Sequence, residues 1–353
     1  MKFLNIDDLD LVKRLQLEDE FFSQPYTMSY SGLNKLLYSP GAFYQHYILK
    51  QRDDIDSKAA VEGSLVHCML LRPESFDEQF VILPSSFPSD NPKKIIDTLF
   101  RMMQIDKIEF DYKMSTSISN LEYVEAAMLD VLKEQNLYQS LKTDQQRLDK
   151  MLTENNMQYL SFLFECEGKS IVDKEMVAFA SKVKTEFANN PNIRVLMGMN
   201  DQFDGTLEVF NEVEYATFID DYSFAIRGII DNLVIDHENK VIRVNDIKKI
   251  GKSLSTFSES MDSYNYWLQA AMYIKIVNHI KKTTLKVDYP VQFRFLVVDK
   301  YMQIAPVRIS EETMTKYMEM TDDALTVAEY HFKNKDFSLP HSVLMSENRE
   351  YVL

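Results

Sequence analysis

Two carboxylates and one ammonium carry the chemical promise of this chain. Gly228-Ile229-Ile230-Asp231 closes one apolar run on an acid, and Val244-Asn245-Asp246-Ile247-Lys248 closes the next on an acid and a lysine two residues apart. Side chains alternate along a strand, so Asp246 and Lys248 are expected on one face while Ile247 points the other way into a core. On neighbouring strands, Asp231 and Asp246 would suit a hard divalent cation such as Mg2+, and the Ile247 backbone carbonyl could add a ligand. Lys248 could then orient an attacking water and offset charge building on a phosphate. The chemistry expected is metal-assisted hydrolysis of a phosphodiester. A lone D-x-K is more often a surface strand pair, because three-residue patterns arise constantly by chance.

Two further features add to that set. Gln269 and Tyr273 lie four apart in a helical stretch read over 262–281, so they share a face and can hydrogen-bond a phosphate, a water or a neighbouring side chain. His67 lies among Leu65, Val66, Met69, Leu70 and Leu71 in an apolar helix read over 58–72. Such a histidine is usually a satisfied core residue, and a metal-ligand role competes with that reading.

The elements that must position these residues change character along the chain. Residues 1–25 read as an acidic leader with a short helix. Thr27-Met28-Ser29-Tyr30-Ser31 offers capping chemistry for a helix through Leu33, Leu36 and Leu37, which Ser39-Pro40 should interrupt. Pro84, Pro88 and Pro92 punctuate a loop, residues 93–165 read mostly as helices, and another helix fits 173–189 before Asn190-Pro191. Beyond residue 200 the period shortens. Thr206–Ile219, Phe224–Ile235 and Val241–Ile247 are rich in β-branched and aromatic residues, Val291–Val298 is an apolar strand, and a last helix runs near 311–332. The order predicts a mixed α/β layer rather than strict alternation.

Bulk composition excludes several classes. The 353 residues, 45% hydrophobic and 12% aromatic, suffice for a sizeable core. Two cysteines, Cys68 and Cys166, rule out a four-cysteine zinc or iron–sulfur site within one chain and make a reducing cytoplasm the expected setting. No apolar run is long enough to span a bilayer, and the first residues lack the apolar core of a secretion signal. A net charge of −15 opposes a general nucleic-acid binder. Yet residues 248–286 hold seven lysines against Glu259 and Asp262, a local +5 that leaves −20 elsewhere. These charges allow either a basic face on an acidic body or lysines that simply solvate a helix and its flanks, and composition alone does not choose between them. Lys249, Lys252, Lys281, Lys282 and Arg294 are the candidate DNA contacts.

Taken in order, these passages resemble the PD-(D/E)XK nuclease superfamily, in the branch of exodeoxyribonuclease VIII, RecB-type nuclease domains and lambda exonuclease. Ser29-Tyr30-Ser31-Gly32-Leu33-Asn34-Lys35-Leu36 with Ser39-Pro40 looks like the family's N-terminal helix signature. Gly63 to Phe76 looks like its G-[ST]-x-x-H-x-x-L-L-x-P-x-x-F block, the longest and most specific match. Gly228–Asp231 and Asp246–Lys248 fit the catalytic strands, Gln269–Tyr273 fits the Q-x-x-x-Y helix, and Met176–Met197 resembles the helix before the strands. The resemblance covers residues 27–86 and 170–310. It departs where the family commonly has threonine after the lysine, since this chain has Lys249.

The resemblance implies a restriction-endonuclease-like core, a mixed central sheet flanked by helices, with a helical insertion. The expected divisions are an acidic leader 1–26, an N-terminal helical part 27–92, the insertion 93–165, the nuclease core 166–335 and a tail 336–353. His67, Asp231 and Asp246 would hold Mg2+ or Mn2+, Lys248 would handle the nucleophilic water, and Gln269 and Tyr273 would support the site. The function implied is a metal-dependent exonuclease acting on double-stranded DNA ends, serving recombination or phage replication in a bacterial cytoplasm. A homo-oligomer and a single-strand annealing protein are the implied partners, with no membrane. The alternatives are a non-catalytic DNA-binding or assembly module of the same fold, and a structure-specific endonuclease.

Overall fold

The computed structural model describes residues 6–51, 57–108, 118–199, 205–219 and 222–350. The chain folds as two compact units, one of Met1–Ala59 with Val183–Leu353 and one of Ala60–Lys182. The acidic leader is largely helical, α1 (Ile6–Phe22), and its aromatic end belongs to the first unit's core. Phe21 and Phe22 lie 6.1 and 6.3 Å, ring to ring, from Phe332.

Residues expected only to cap a helix instead form a short strand, β1 (Thr27–Ser29). Its last residue does both jobs, because the Ser29 hydroxyl accepts the Gly32 N–H at the start of α2 (Tyr30–Tyr38). Ser39 caps α3 (Pro40–Phe43) in the same way, with Pro40 at the first helical position where a missing N–H costs nothing. A π turn at Tyr44–Ile48 follows, and α4 (Lys58–Leu71) leads into the second unit.

The second unit is mainly helical, with α5 (Phe76–Gln79), β2 (Phe80–Ile82), α6 (Asp90–Ile105), α7 (Ile118–Glu134), α8 (Asp144–Met151), α9 (Glu154–Glu165), β3 (Ser170–Val172) and the start of α10 (Lys174–Asn189). Pro92, expected in a loop, sits in the first turn of α6, where proline is tolerated. Ile95, Ile96, Leu99, Met128, Val131 and Leu160 are fully buried in a core of this unit's own. Strands β2 and β3 pair in parallel, a two-stranded sheet too short for the sequence pattern to reveal.

The rest of the first unit is built on one mixed sheet. Its chain order is α11 (Pro191–Met197), β4 (Leu207–Thr217), β5 (Ala225–Asp236), β6 (Val241–Ile250), α12 (Phe257–Ser263), α13 (Tyr266–Ile280), β7 (Val291–Asp299), β8 (Ile304–Arg308), α14 (Glu311–Asn334) and α15 (His341–Leu344). The helix expected over 262–281 is two helices, broken at Asn265 where φ is +53°. Strand order is β1-β5-β6-β7-β8, with β4 on the other edge of β5; β1–β5 and β6–β7 are parallel and the remaining pairs antiparallel.

One edge of β5 changes partners along its length, and this creates the site. Residues 232–236 pair with β6, whereas residues 225–227 pair with β1. Between these two pairings lies a fork at residues 228–231. Alternation along β5 also changes phase there. Ile226 and Ile230 belong to the core beneath α13, and so do Leu233 and Ile235, an odd-numbered step later. Opposite Asp231, Glu212 of β4 takes a left-handed φ of +48°, and ladder pairing resumes on either side at Val213↔Ile230 and Asn211↔Asn232. A fork bares backbone groups that the sheet would otherwise pair, and they need other partners.

Candidate active site

Asp231 supplies one of those partners. Its Oδ2 accepts the Ile247 N–H at 2.7 Å, so a carboxylate stands where a neighbouring strand's carbonyl would otherwise be. On β6, Asp246 and Lys248 share a face as their spacing predicts, with Lys248 Nζ 2.5 Å from Asp246 Oδ2. Asp246 is 1% exposed and Asp231 7%, so two acids are buried beside one ammonium. Ile247 between them is fully buried.

Helix α13 closes the site from above the sheet. Gln269 donates from Nε2 to Asp246 Oδ1 at 2.8 Å and to Tyr273 Oη at 3.1 Å, which confirms the shared face implied by their four-residue spacing. Both amide N–H groups are thereby used, and Gln269 Oε1 is left buried without a hydrogen-bond partner among the described residues. Tyr273 rests directly on Gly228. A Cβ at that position would lie 2.7 Å from Tyr273 Cε1, so the glycine of G-x-x-D is there to let the helix approach the strand.

Electrostatics follow from this crowding. Burial opposes the Lys248 ammonium, but the Asp246 and Asp231 carboxylates outweigh it and hold its pKa above the ordinary lysine value. Burial first, and then Asp246 and Asp231, push the Tyr273 phenol well above its usual range. Tyr30 is raised by burial, then by Tyr266 and Asp246. Its hydroxyl donates to the Tyr264 carbonyl, which ties the start of α2 to the loop before α13. Lys248 also lies 5.0 Å from the Tyr266 ring centre and 5.8 Å from that of Phe295. Sequence reasoning missed Tyr30, Tyr266 and Phe295 as walls of the site; only Tyr30 lay inside a motif that drew attention. A recess of about 200 Å³ opens beside Tyr273, lined also by Ser29, Tyr30, Ser31, Arg227 and Gly228.

A family model for the PD-(D/E)XK nuclease superfamily matches residues 27–335. The chain belongs to the PD-(D/E)XK nuclease superfamily. The mixed sheet flanked by helices is that superfamily's fold. Among solved structures, the chain is similar to a crystal structure from Eubacterium rectale provisionally described as an exonuclease, at 12% identity and a TM-score of 0.45, covering 100% of this chain and 95% of that one. No curated protein matches the chain.

Members of this superfamily typically use divalent metals, and the residues present fit one. Two nearly inaccessible carboxylates beside the Lys248 ammonium place anionic oxygens in a poorly solvated spot, where a cation would be favoured. The donors are hard oxygens, the type that Mg2+ and Mn2+ prefer. Among the described residues no cluster of three or more His, Cys, Asp or Glu side chains is already arranged for a metal. His67 is half-buried on α4 between Val66 and Cys68, in the part of that helix that belongs to the second unit.

The basic stretch is less free than its composition suggests. Lys248 is committed to Asp246, Lys275 Nζ is 2.5 Å from Asp322 Oδ1, and Lys252 Nζ is 3.2 Å from Glu259 Oε2. Lys281 donates to the Tyr289 carbonyl at 3.1 Å and lies 3.7 Å from Asp288. Asp288 and Asp322 lie outside residues 248–286, so a count within that window could not include them. Lys282 is exposed and Lys249 half-buried. Arg294 donates to Gln292 Oε1 at 2.8 Å, and burial together with the nearby Arg243 and Arg308 lowers its pKa. No helix among the described residues is long and apolar enough to cross a membrane.

Proposed function

We propose that this chain is a metal-dependent DNA exonuclease that hydrolyses phosphodiester bonds at duplex ends. The observation that carries this reading is the buried group of Asp231, Asp246 and Lys248 at the fork of the sheet, braced by Gln269. Asp231, Asp246 and the Ile247 carbonyl would hold Mg2+ or Mn2+. Such an ion would supply Lewis acidity toward the phosphate and a more acidic water.

The chain's own residues define the rest of the mechanism. Lys248 serves as a donor that orients the attacking water and offsets charge on the phosphate. Gln269 fixes the Asp246 carboxylate, and Tyr273 fixes Gln269. Water adds to phosphorus, the ester P–O bond breaks, the water's proton passes to solvent, the leaving oxygen takes one up from solvent, and no covalent enzyme intermediate is required.

The resemblance of residues 63–76 to the exodeoxyribonuclease block favours action at ends, in recombination or phage replication within a bacterial cytoplasm. A homo-oligomer working with a single-strand annealing protein belongs to the same reading, as do DNA contacts from Lys249, Lys252, Lys281, Lys282 and Arg294. The test is digestion of linear and covalently closed circular duplex DNA in Mg2+ or Mn2+. Loss of linear DNA alone, abolished by EDTA, is expected. Cutting of circles would make the enzyme an endonuclease, and binding of DNA with no cleavage of either would make the chain a non-catalytic module.

A further inference from the structure

On the opposite face of the same strands lies a polar group that the proposed mechanism does not use. Asn232 follows Asp231 and Asn245 precedes Asp246, and both are almost wholly buried, at 1% and 0% exposure. The two are directly paired across β5 and β6, and Asn211 of β4 is paired to Asn232 on the other side. Asn245 Nδ2 donates to Asn232 Oδ1 at 2.8 Å, and Asn232 Nδ2 donates to Asn211 Oδ1 at 2.9 Å. Three side-chain amides therefore run as a ladder across three strands.

The ladder also anchors a helix. Asn245 Nδ2 gives its second hydrogen to the Leu196 carbonyl at 2.8 Å, and Asn232 Nδ2 gives its second to Met197 O at 3.3 Å. These are carbonyls of the last turn of α11, which have no partner within the helix. Gly198 completes the dock with φ of +68°; a Cβ there would lie 2.6 Å from Val209 Cγ2. Buried amides are costly unless satisfied, and Asn245 Oδ1 has no partner among the described residues, so apolar residues would serve a plain sheet better. Their position explains them. Just beyond the ladder, β5 changes phase, Glu212 is left-handed, and backbone pairing with β6 ends. The ladder is the last fixed point before the fork that carries both acids.

We infer that Asn232 and Asn245, with Asn211, are positioning residues that hold the two carboxylate-bearing strands in register for cation binding. The inference rests on the proposed metal-dependent reading. Its geometric content is that register at Asn232↔Asn245 sets where Asp231 meets the Ile247 N–H, two residues further along β6.

The test compares Asn232→Leu and Asn245→Leu, near-isosteric but without amide donors, with the milder Asn211→Ala. Asn156→Ala serves as a control, because Asn156 is a buried amide bonded to the Met151 carbonyl at 2.8 Å in the other unit. Two quantities are read on folded, full-length protein: hydrogen-exchange protection of the Ile247 amide without metal, and the Mn2+ binding midpoint by calorimetry. The ladder variants are expected to lose Ile247 protection and raise the Mn2+ midpoint about tenfold, as loss of outer support around metal ligands does. Saturating Mn2+ should restore most of their cleavage rate. The control should lower melting temperature alone. Ile247 protection and Mn2+ midpoints unchanged in all three ladder variants would overturn the inference. A wild-type protein that neither binds Mn2+ nor cleaves DNA would overturn the nuclease reading instead, and the Ile247 amide would still decide whether the ladder sets the register.

Discussion

Strands β5 and β6 carry two buried acid–base pairs, one at each end, and they are built differently. At the turn end, Asp236 accepts the Asn239 N–H at 2.8 Å, its amide at 2.9 Å, and the Arg243 guanidinium. One acid meets one base and a full set of donors. At the fork end, Asp246 and Asp231 both act on Lys248, and a buried Gln269 oxygen beside them has no partner among the described residues. The first pair is closed, with charge and hydrogen bonds balanced. The second is open, with two buried acids beside Lys248 and a Gln269 acceptor unused among the described residues, a set of hard oxygens that suits a cation. Similar residues on one pair of strands thus separate into a structural clamp and a candidate site.

That contrast can be broken by removing each base or acid in turn. Lys248→Met should be the most destabilising change, about 3–5 kcal/mol without metal, because it removes the ammonium paired with buried Asp246 and facing Asp231. Denaturant melts should show Mg2+ recovering more stability in this variant than in the wild type. Equal Mg2+ effects would mean that the acids do not share a cation. Asp236→Ala should cost about 3 kcal/mol by stranding Arg243, yet leave cleavage per folded molecule unchanged. A fall in specific activity would erase the distinction between the two ends.

Smaller changes sharpen the comparison. Gly228→Ala forces a methyl against Tyr273 and should cost about 1–3 kcal/mol, with a loss of cleavage larger than the loss of folded protein. Unchanged kinetics there would separate α13 from the site. The smallest expected effect is the pH dependence of the closed pair. Burial opposes ionisation of Asp236, but Asn239 and Arg243 outweigh it and hold the pKa below the ordinary 3.8. The folded state then binds fewer protons than the unfolded one, so this stability is present above the ordinary value and is lost as pH falls through the depressed one. Asp236→Asn should flatten the acid limb of melting temperature below about pH 4. An unaltered limb would show that other carboxylates govern it.

What the sequence revealed follows the range of the interactions. Asp246 with Lys248 and Gln269 with Tyr273 were legible because strand and helix periods place them locally. The main strands and the long helices were legible for the same reason. The fork was not, since it depends on Thr27–Ser29 pairing with residues 225–227, nearly two hundred positions away. Neither was the asparagine ladder, whose members look like turn-forming residues until three strands align them. The charge count over 248–286 was incomplete because Lys275 and Lys281 lie against Asp322 and Asp288, acids outside the stretch that was counted. Only the folded chain shows which charges remain available.

The most direct test of the open end is cleavage of an end-labelled linear duplex by wild-type and Asp246→Asn protein across Mg2+ concentrations. The account predicts metal-dependent release of nucleotides by the wild type and a loss of about a thousandfold or more per folded molecule in the variant, equivalent to about 4 kcal/mol in the barrier. Cleavage by Asp246→Asn at the wild-type rate would contradict it.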